Sequence, residues 1–414
     1  MPSHGGRPHG LVCWAALLFA ACYGRGTLFA STNVMVRGPQ YSRPTRSPTF
    51  VSPRGRTTWS SGRRAAEEDD SESMSVRSPL RWSGSYPMLS LWFPELSTAE
   101  QKQAGEKGVS LKFLVDTAAS VNTINAKVAA DLGLVRVGEI PAGIGAGGNI
   151  SGGDTFMLGD CELDDLPAAG RVQFMSGLTA SALPIATPAA GIIGAAFLSS
   201  FPGGVEFYWG SPPSRSDASI TFFGDTQSLE SAVPTGLCSV PVQMLPETGL
   251  PRTILTINGV DIPALLDTGS PITVLNRAAA AVAGIRTSDS DVERDADTES
   301  DGSSNNPFAN FFAGVEAMFG AARETAALGQ RVASGEVVLI GGANGMVQLE
   351  RSKTAVSFAI GEAKIGESTV LVGEMPGLAA LDGLGAEAGP AAILGIDVLR
   401  QRQRLVCRSG DILL

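Results

Sequence analysis

Leu114–Ser120 reads LVDTAAS and Leu265–Pro271 reads LLDTGSP, and the likeness extends well past these short stretches. A shift of 151 positions places Asp116 on Asp267, Thr117 on Thr268, Ile124 on Leu275, Asn125 on Asn276, Ala129 on Ala280, Ala130 on Ala281, Gly133 on Gly284 and Leu134 on Ile285, without a gap. A duplication of this kind calls for two similar folded units in tandem.

Local patterns in both copies read as β structure. Apolar runs such as Ser110–Asp116 and Ile220–Phe223 are short and separated by Gly, Pro and Asp clusters, which favours an all-β fold. The second copy carries TILTINGVDIPALLDTGS, whose Asn258-Gly259 is the strongest short hairpin signal in the chain. After each Asp-Thr strand comes an asparagine, Asn125 or Asn276, then an alanine-rich run that stops at Gly133 or Gly284. A capping side chain before and a glycine after predict a short helix. Each unit also ends on a matched element, GIIGAAFL (191–198) and AAILGIDVL (391–399).

From Asp116 to Ile192 is 76 positions, and from Asp267 to Ile393 is 126. The excess of 50 is largely accounted for by an insertion at 287–331. Its first part, Asp289–Asp301, holds seven acids and one arginine, a composition that predicts disorder. An EF-hand loop there would need glycine sixth and glutamate twelfth, where Arg294 and Ser300 stand. The second part sets Phe308, Phe311, Phe312, Val315, Phe319 and Ala322 at helical spacing, a face for docking on its own domain or on a partner.

The chain begins differently. Residues 1–66 hold nine arginines and no lysine, aspartate or glutamate. The remainder therefore has 22 basic against 41 acidic residues, a net charge of 22 − 41 = −19, which argues against binding to nucleic acid or anionic membrane. Leu11–Ala21 is an apolar run too short to span a bilayer as a mature helix, so 1–22 reads as a signal-peptide segment. Residues 23–66, rich in Arg, Ser, Thr and Pro, have the composition of a transit peptide. Together they resemble the bipartite presequence of proteins sent to complex plastids; plain secretion and a membrane anchor stay open. The expected organisation is then 67–85 as an acidic linker, 86–232 as the first unit and 233–414 as the second.

Both histidines, His4 and His9, lie in the leader. Without it the chain has none, which excludes Ser-His-Asp and Cys-His chemistry and any imidazole-built zinc site. Cys161, Cys238 and Cys407 are far apart and odd in number, with no CxxC spacing, so they read as idle thiols. Gly143, Gly145 and Gly148 satisfy G-x-G-x-x-G, but no helical pattern follows them, which argues against a dinucleotide site.

Two aspartates brought together at a twofold axis have an obvious chemistry. Neighbouring carboxylates cannot both ionise easily, so the pair shares a proton. One acid and one base then flank a water that attacks an amide without metal, cofactor or covalent intermediate. Asp-Thr-Gly after two apolar residues, with apolar-apolar-Gly following, resembles the aspartic proteases. The short units, with IIG or ILG followed by a helix, are similar to the retropepsin-like branch. This resemblance covers about Tyr86 to Leu414.

It implies two retropepsin-like β-barrel units forming a pseudo-twofold dimer within one monomeric chain, with a peptide or protein as substrate. Asp116 and Asp267 would be the catalytic dyad. Thr117 and Thr268 would bond across the twofold; Gly269, Ser270, Gly194 and Gly395 would support the site. The Ser270 hydroxyl would reach the outer carboxylate oxygen. Gly145, Gly147 and Gly148 in one unit, and Gly341 and Gly342 in the other, would form flaps that close over the peptide. The first unit departs from the family in having Ala118 where glycine is usual, which leaves open a catalytically impaired peptide-binding or assembly module; a third arrangement pairs Asp267 with the same residue of another chain, the first unit only scaffolding.

Overall fold

The computed structural model describes residues 49–50, 74–145, 148–164, 173–183, 189–246, 248–288, 328, 330–342, 345–379, 384 and 389–414. The signal-like segment, most of the transit-like segment, Gly147 and most of the insertion lie outside them. No helix among the described residues is long and apolar enough to cross a membrane.

The fold is all-β, in three main sheets. A nine-stranded sheet is formed largely by the first copy and a ten-stranded sheet by the second. The repeat is kept element by element: strand Val109–Val115 matches Val260–Leu266, and helix Ala126–Leu132 matches Arg277–Val282. Asn125 caps the first helix by accepting from Lys127 N at 3.0 Å, and Asn276 caps the second by accepting from Ala279 N at 2.8 Å. The hairpin predicted at Asn258-Gly259 joins Pro251–Ile257 to Val260–Leu266, with both turn residues at positive φ (49° and 83°). A turn of that hand matches the twist of the strands it connects. The Asn258 side chain also donates to Ala283 O at 3.1 Å, tying the turn to the end of the second helix.

In each unit the strand leading into Asp-Thr lies parallel to the strand of the apolar-Gly motif. Val109–Val115 pairs with Gly191–Ile193, and Val260–Leu266 pairs with Ala392–Leu394. The motif glycines then open short helices, Ala195–Leu198 and Ile396–Leu399. Phe197 anchors the first of these among Phe174, Phe201 and Phe222, with ring centroids 5.5–6.0 Å away. Each such buried ring contributes about 1.5–3 kcal/mol.

The third sheet belongs to both units. Its six antiparallel strands run in the order Ser239–Pro241, Asp411–Leu413, Arg404–Arg408, Gly204–Tyr208, Ser219–Phe223 and Ser75–Pro79. At its centre Val205 opposes Cys407 and Phe207 opposes Leu405.

The outermost strand corrects the expected linker at 67–85. Ser75–Pro79 pairs along its length with Ser219–Phe223, and Arg81–Ser83 pairs with the strand Tyr86–Phe93. Ser78 and Leu80 are buried, while Arg77 is exposed and donates to Ser219 Oγ at 2.9 Å. Alternation of this kind is a strand with one wet face, masked in sequence by its serines and arginines. Leu80 N donates to Ala218 O at 2.9 Å, as Val242 N does to Gly410 O at 3.0 Å in the second unit, so the first unit begins near residue 74.

Candidate active site

Asp116 and Asp267 stand just past the ends of the two equivalent strands. Asp116 N donates to Ile193 O, and Asp267 N to Leu394 O, both at 3.0 Å, so each turn hangs from its own apolar-Gly strand. Thr117 Oγ1 donates to Leu266 O at 2.7 Å and accepts from Thr268 N at 3.0 Å. Thr268 Oγ1 donates to Val115 O at 2.9 Å and accepts from Thr117 N at 3.1 Å. Each hydroxyl thus crosses to the opposite unit's main chain, and all four bonds are buried.

This brace brings the carboxylates within hydrogen-bonding reach of each other. They are 0% and 1% exposed. Ala118 N donates to Asp116 Oδ1 at 2.8 Å; Gly269 N and Ser270 N donate to Asp267 Oδ1 at 2.8 and 2.9 Å. Asp116 Oδ2 is buried with no donor from the surrounding protein, the place for a proton shared with Asp267. Burial raises Asp116 well above the usual carboxylate range, and the charge of Asp267 raises it further. Burial raises Asp267 as well, against the pull of the hydrogen bond to Asp116 and of the Gly269 and Ser270 N–H groups. The pair therefore favours a single proton shared between the two carboxylates and a single negative charge.

Gly194 and Gly395 sit directly behind the turns. A Cβ at Gly194 would lie 2.4 Å from Ala119 O, and one at Gly395 would lie 2.6 Å from Ile272 C, so only glycine fits. Ala195 N donates to Ala119 O at 2.6 Å and Ile396 N to Ser270 O at 2.8 Å. The motif glycines therefore let a helix start press against each Asp-Thr turn.

Three supporting residues were not singled out from sequence. Asn122 Oδ1 accepts from Gly194 N at 3.1 Å, and Thr273 Oγ1, at the same position of the repeat, accepts from Gly395 N at 3.0 Å. Asp397 Oδ1 in turn accepts from Thr273 N, Thr273 Oγ1 and Val398 N at 2.8–2.9 Å. Burial pushes Asp397 up to about 6, with those same donors pulling it down. The 151-position offset does place Asn122 on Thr273, and polarity at that shared position was the available signal.

Ser270 differs from expectation. Its hydroxyl donates to Ile272 O at 2.8 Å, and it is the Ser270 N–H that reaches the Asp267 carboxylate. Ala118 is fully buried in an apolar cluster otherwise drawn mainly from the second unit, including Leu250, Val274 and Met375. Its methyl is absorbed there while its N–H keeps the same 2.8 Å bond that Gly269 makes.

Both glycine-rich stretches form hairpins. Gly145 opposes Gly148 in the first, which continues the pairing of Val135–Ile140 with Gly153–Leu163. Gly341 opposes Met346 and Gly342 opposes Gly345 in the second. The returning strand of the first hairpin, Gly148–Ile150, lies against helix Pro376–Ala379 of the second unit. None of the three described cysteines joins the site: Cys161 and Cys407 are pushed up to about 12 by burial, and Cys238 lies on the strand-239 side of the shared sheet.

The aspartyl protease family model matches residues 104–197 and 253–307. No curated protein matches the sequence. Among solved structures, basic 7S globulin from soybean aligns at 12% identity over 79% of this chain and 93% of that one, with a TM-score of 0.34. The first matched stretch holds Asp116, Thr117 and Gly194, the second Asp267, Thr268 and Ser270, so each of the two Asp-Thr turns lies within a stretch that the family model matches.

Proposed function

We propose that the chain is an aspartic endopeptidase, acting as an intramolecular pseudo-dimer through Asp116 and Asp267. The observation that carries this reading is the reciprocal Thr117–Thr268 brace, which holds two buried carboxylates from one chain side by side. In the reaction, Asp267 takes a proton from a water held between the carboxylates, and the resulting hydroxide attacks the peptide carbonyl carbon. Asp116 gives its proton to the carbonyl oxygen, forming a neutral tetrahedral diol. Collapse of the diol breaks the C–N bond, with the Asp267 proton passing to the leaving nitrogen and a diol proton returning to Asp116. The two glycine-tipped hairpins close over the peptide and exclude bulk water.

The test is cleavage of a peptide library by protein lacking residues 1–66, from mildly acidic to neutral pH. Asp116→Asn and Asp267→Asn should each abolish cleavage as fully as the double variant, because residues acting as a unit are non-additive. Activity surviving Asp116→Asn but lost with Asp267→Asn would replace this reading with a dimer of chains. A wild type that neither cleaves nor binds a statine peptide would favour a peptide-binding module, the reading that Ala118 keeps in play.

We further propose that residues 1–66 route the protein to a plastid through the secretory pathway. N-terminal sequencing of protein from its native cell should find a start near 65–73. A start within the first 30 residues would favour secretion.

A further inference from the structure

The pseudo-twofold is broken at one place in the shared sheet. In the first unit, strand Gly204–Tyr208 is followed by Trp209, and residues 209–218 make the connection to Ser219–Phe223. In the second, Arg404–Arg408 is followed by only Ser409 and Gly410 before Asp411–Leu413. Trp209 is fully buried, its backbone N–H donates to Gln403 O at 3.0 Å, and its ring stacks on Phe207 at 5.2 Å. Trp82 packs over it at 6.2 Å. Trp82 opposes Pro87 as Met244 opposes Pro251, so Met244 is the counterpart of the covering indole. Nothing in the short Ser409-Gly410 turn is the counterpart of the buried one.

Where that ring would be, the second side has a cavity of about 340 Å³. Its walls are mainly apolar, with Leu198, Phe201, Val242, Met244, Leu266 and Ile412 prominent and Thr117, Ser199 and Ser409 among the polar residues. Neither carboxylate of the dyad lines it. Arg408 stands at its rim, but Nη2 donates to Asp411 Oδ2 at 2.7 Å and Nε pairs with Oδ1, so the mouth offers no uncommitted charge. Apolar wall atoms that face no side chain lack dispersion partners on one side. The ~150 Å³ void that accepts benzene in a known case is less than half this size.

We propose that this cavity is a binding site for a flat, uncharged aromatic group of bicyclic size, which takes the place that Trp209 fills in the first unit. The occupant is a free aromatic molecule or the aromatic side chain of a peptide; the chemistry recognised is the same. Thr117 of the brace reaches one wall of the cavity, but neither dyad carboxylate does, and the readout is binding and not turnover.

The test uses the full 414-residue chain with indole and N-acetyl-tryptophan amide as probes, followed by saturation-transfer NMR and thermal shift. Saturable one-to-one binding with a raised melting temperature is expected. Indole alone would assign the seat to a small molecule, and both probes to a side chain. Leu198→Trp fills the cavity from the helix and Val242→Phe from the residue that follows strand Ser239–Pro241. Either variant that folds should weaken binding about tenfold or more, a change of ~1.4 kcal/mol or greater. No saturable binding of either probe, or binding undiminished in a folded variant, would overturn the proposal.

Discussion

Replacing Thr117 with valine keeps the shape of a buried side chain and deletes one oxygen. That oxygen donates to Leu266 O at 2.7 Å and accepts from Thr268 N at 3.0 Å, in a region where Thr117 is 3% and Thr268 0% exposed. A neutral hydrogen bond contributes a net ~1 kcal/mol, and a buried partner left unsatisfied costs about 1–3 kcal/mol. Two partners are affected, so the loss should be about 2–6 kcal/mol, a large part of the 5–15 kcal/mol typical of a folded domain. Thr117→Ser keeps the oxygen and removes one methyl, costing ~0.8 kcal/mol. The assay is urea unfolding followed by tryptophan emission, comparing valine, serine and wild type. Thr268→Val should cost a similar amount, and the double valine variant less than the sum, because the two hydroxyls form one brace. A Thr117→Val midpoint equal to wild type, or a serine variant as damaged as the valine one, would refute the brace as a stabilising link between the units.

Ala118→Gly should retain turnover while losing about 1–2 kcal/mol of stability, from a buried methyl and added backbone freedom; a stabilised variant would show that the methyl is strained. A chain starting at residue 67 should unfold like the full chain, whereas one starting at 86 loses the strands at 75–79 and 81–83 and should be less stable by at least ~2 kcal/mol; equal midpoints would restore the linker reading. Asp397 binds its proton more readily folded (about 6) than at its ordinary 3.8, so its contribution to stability is full below about pH 4 and lost as pH rises through 6. Unfolding midpoints should therefore fall across that window, and Asp397→Asn should flatten part of the slope; a flat wild-type curve would contradict the burial argument.

What could be read from the chain beforehand was whatever depends on near neighbours or on the repeat. The Asn258-Gly259 turn, the asparagine caps and the pairing of the two Asp-Thr strands with their apolar-Gly partners each rest on residues close in sequence or on the shared offset. The strand Ser75–Pro79 was missed because its partner Ser219–Phe223 lies far along the chain and its own letters are polar. Asp397 was missed because one acid after ILG carries no pattern; only the fold sets it against Thr273. The direction of the Ser270 hydroxyl is decided by where Ile272 O happens to point, which no motif encodes.

The interleaving of the six-stranded sheet has a consequence for synthesis. Its central pair joins residues 204–208 to 404–408, and strand 239–241 finds its partner only at 411–413. Asp116 is translated long before Leu394, the residue whose carbonyl receives Asp267 N. A nascent chain stopped anywhere between the two holds one or both aspartates but lacks the strand that suspends the second turn. Were the mature molecule a protease, its order of translation would delay activity until the ribosome had passed nearly all of the second unit, protecting the machinery that makes it.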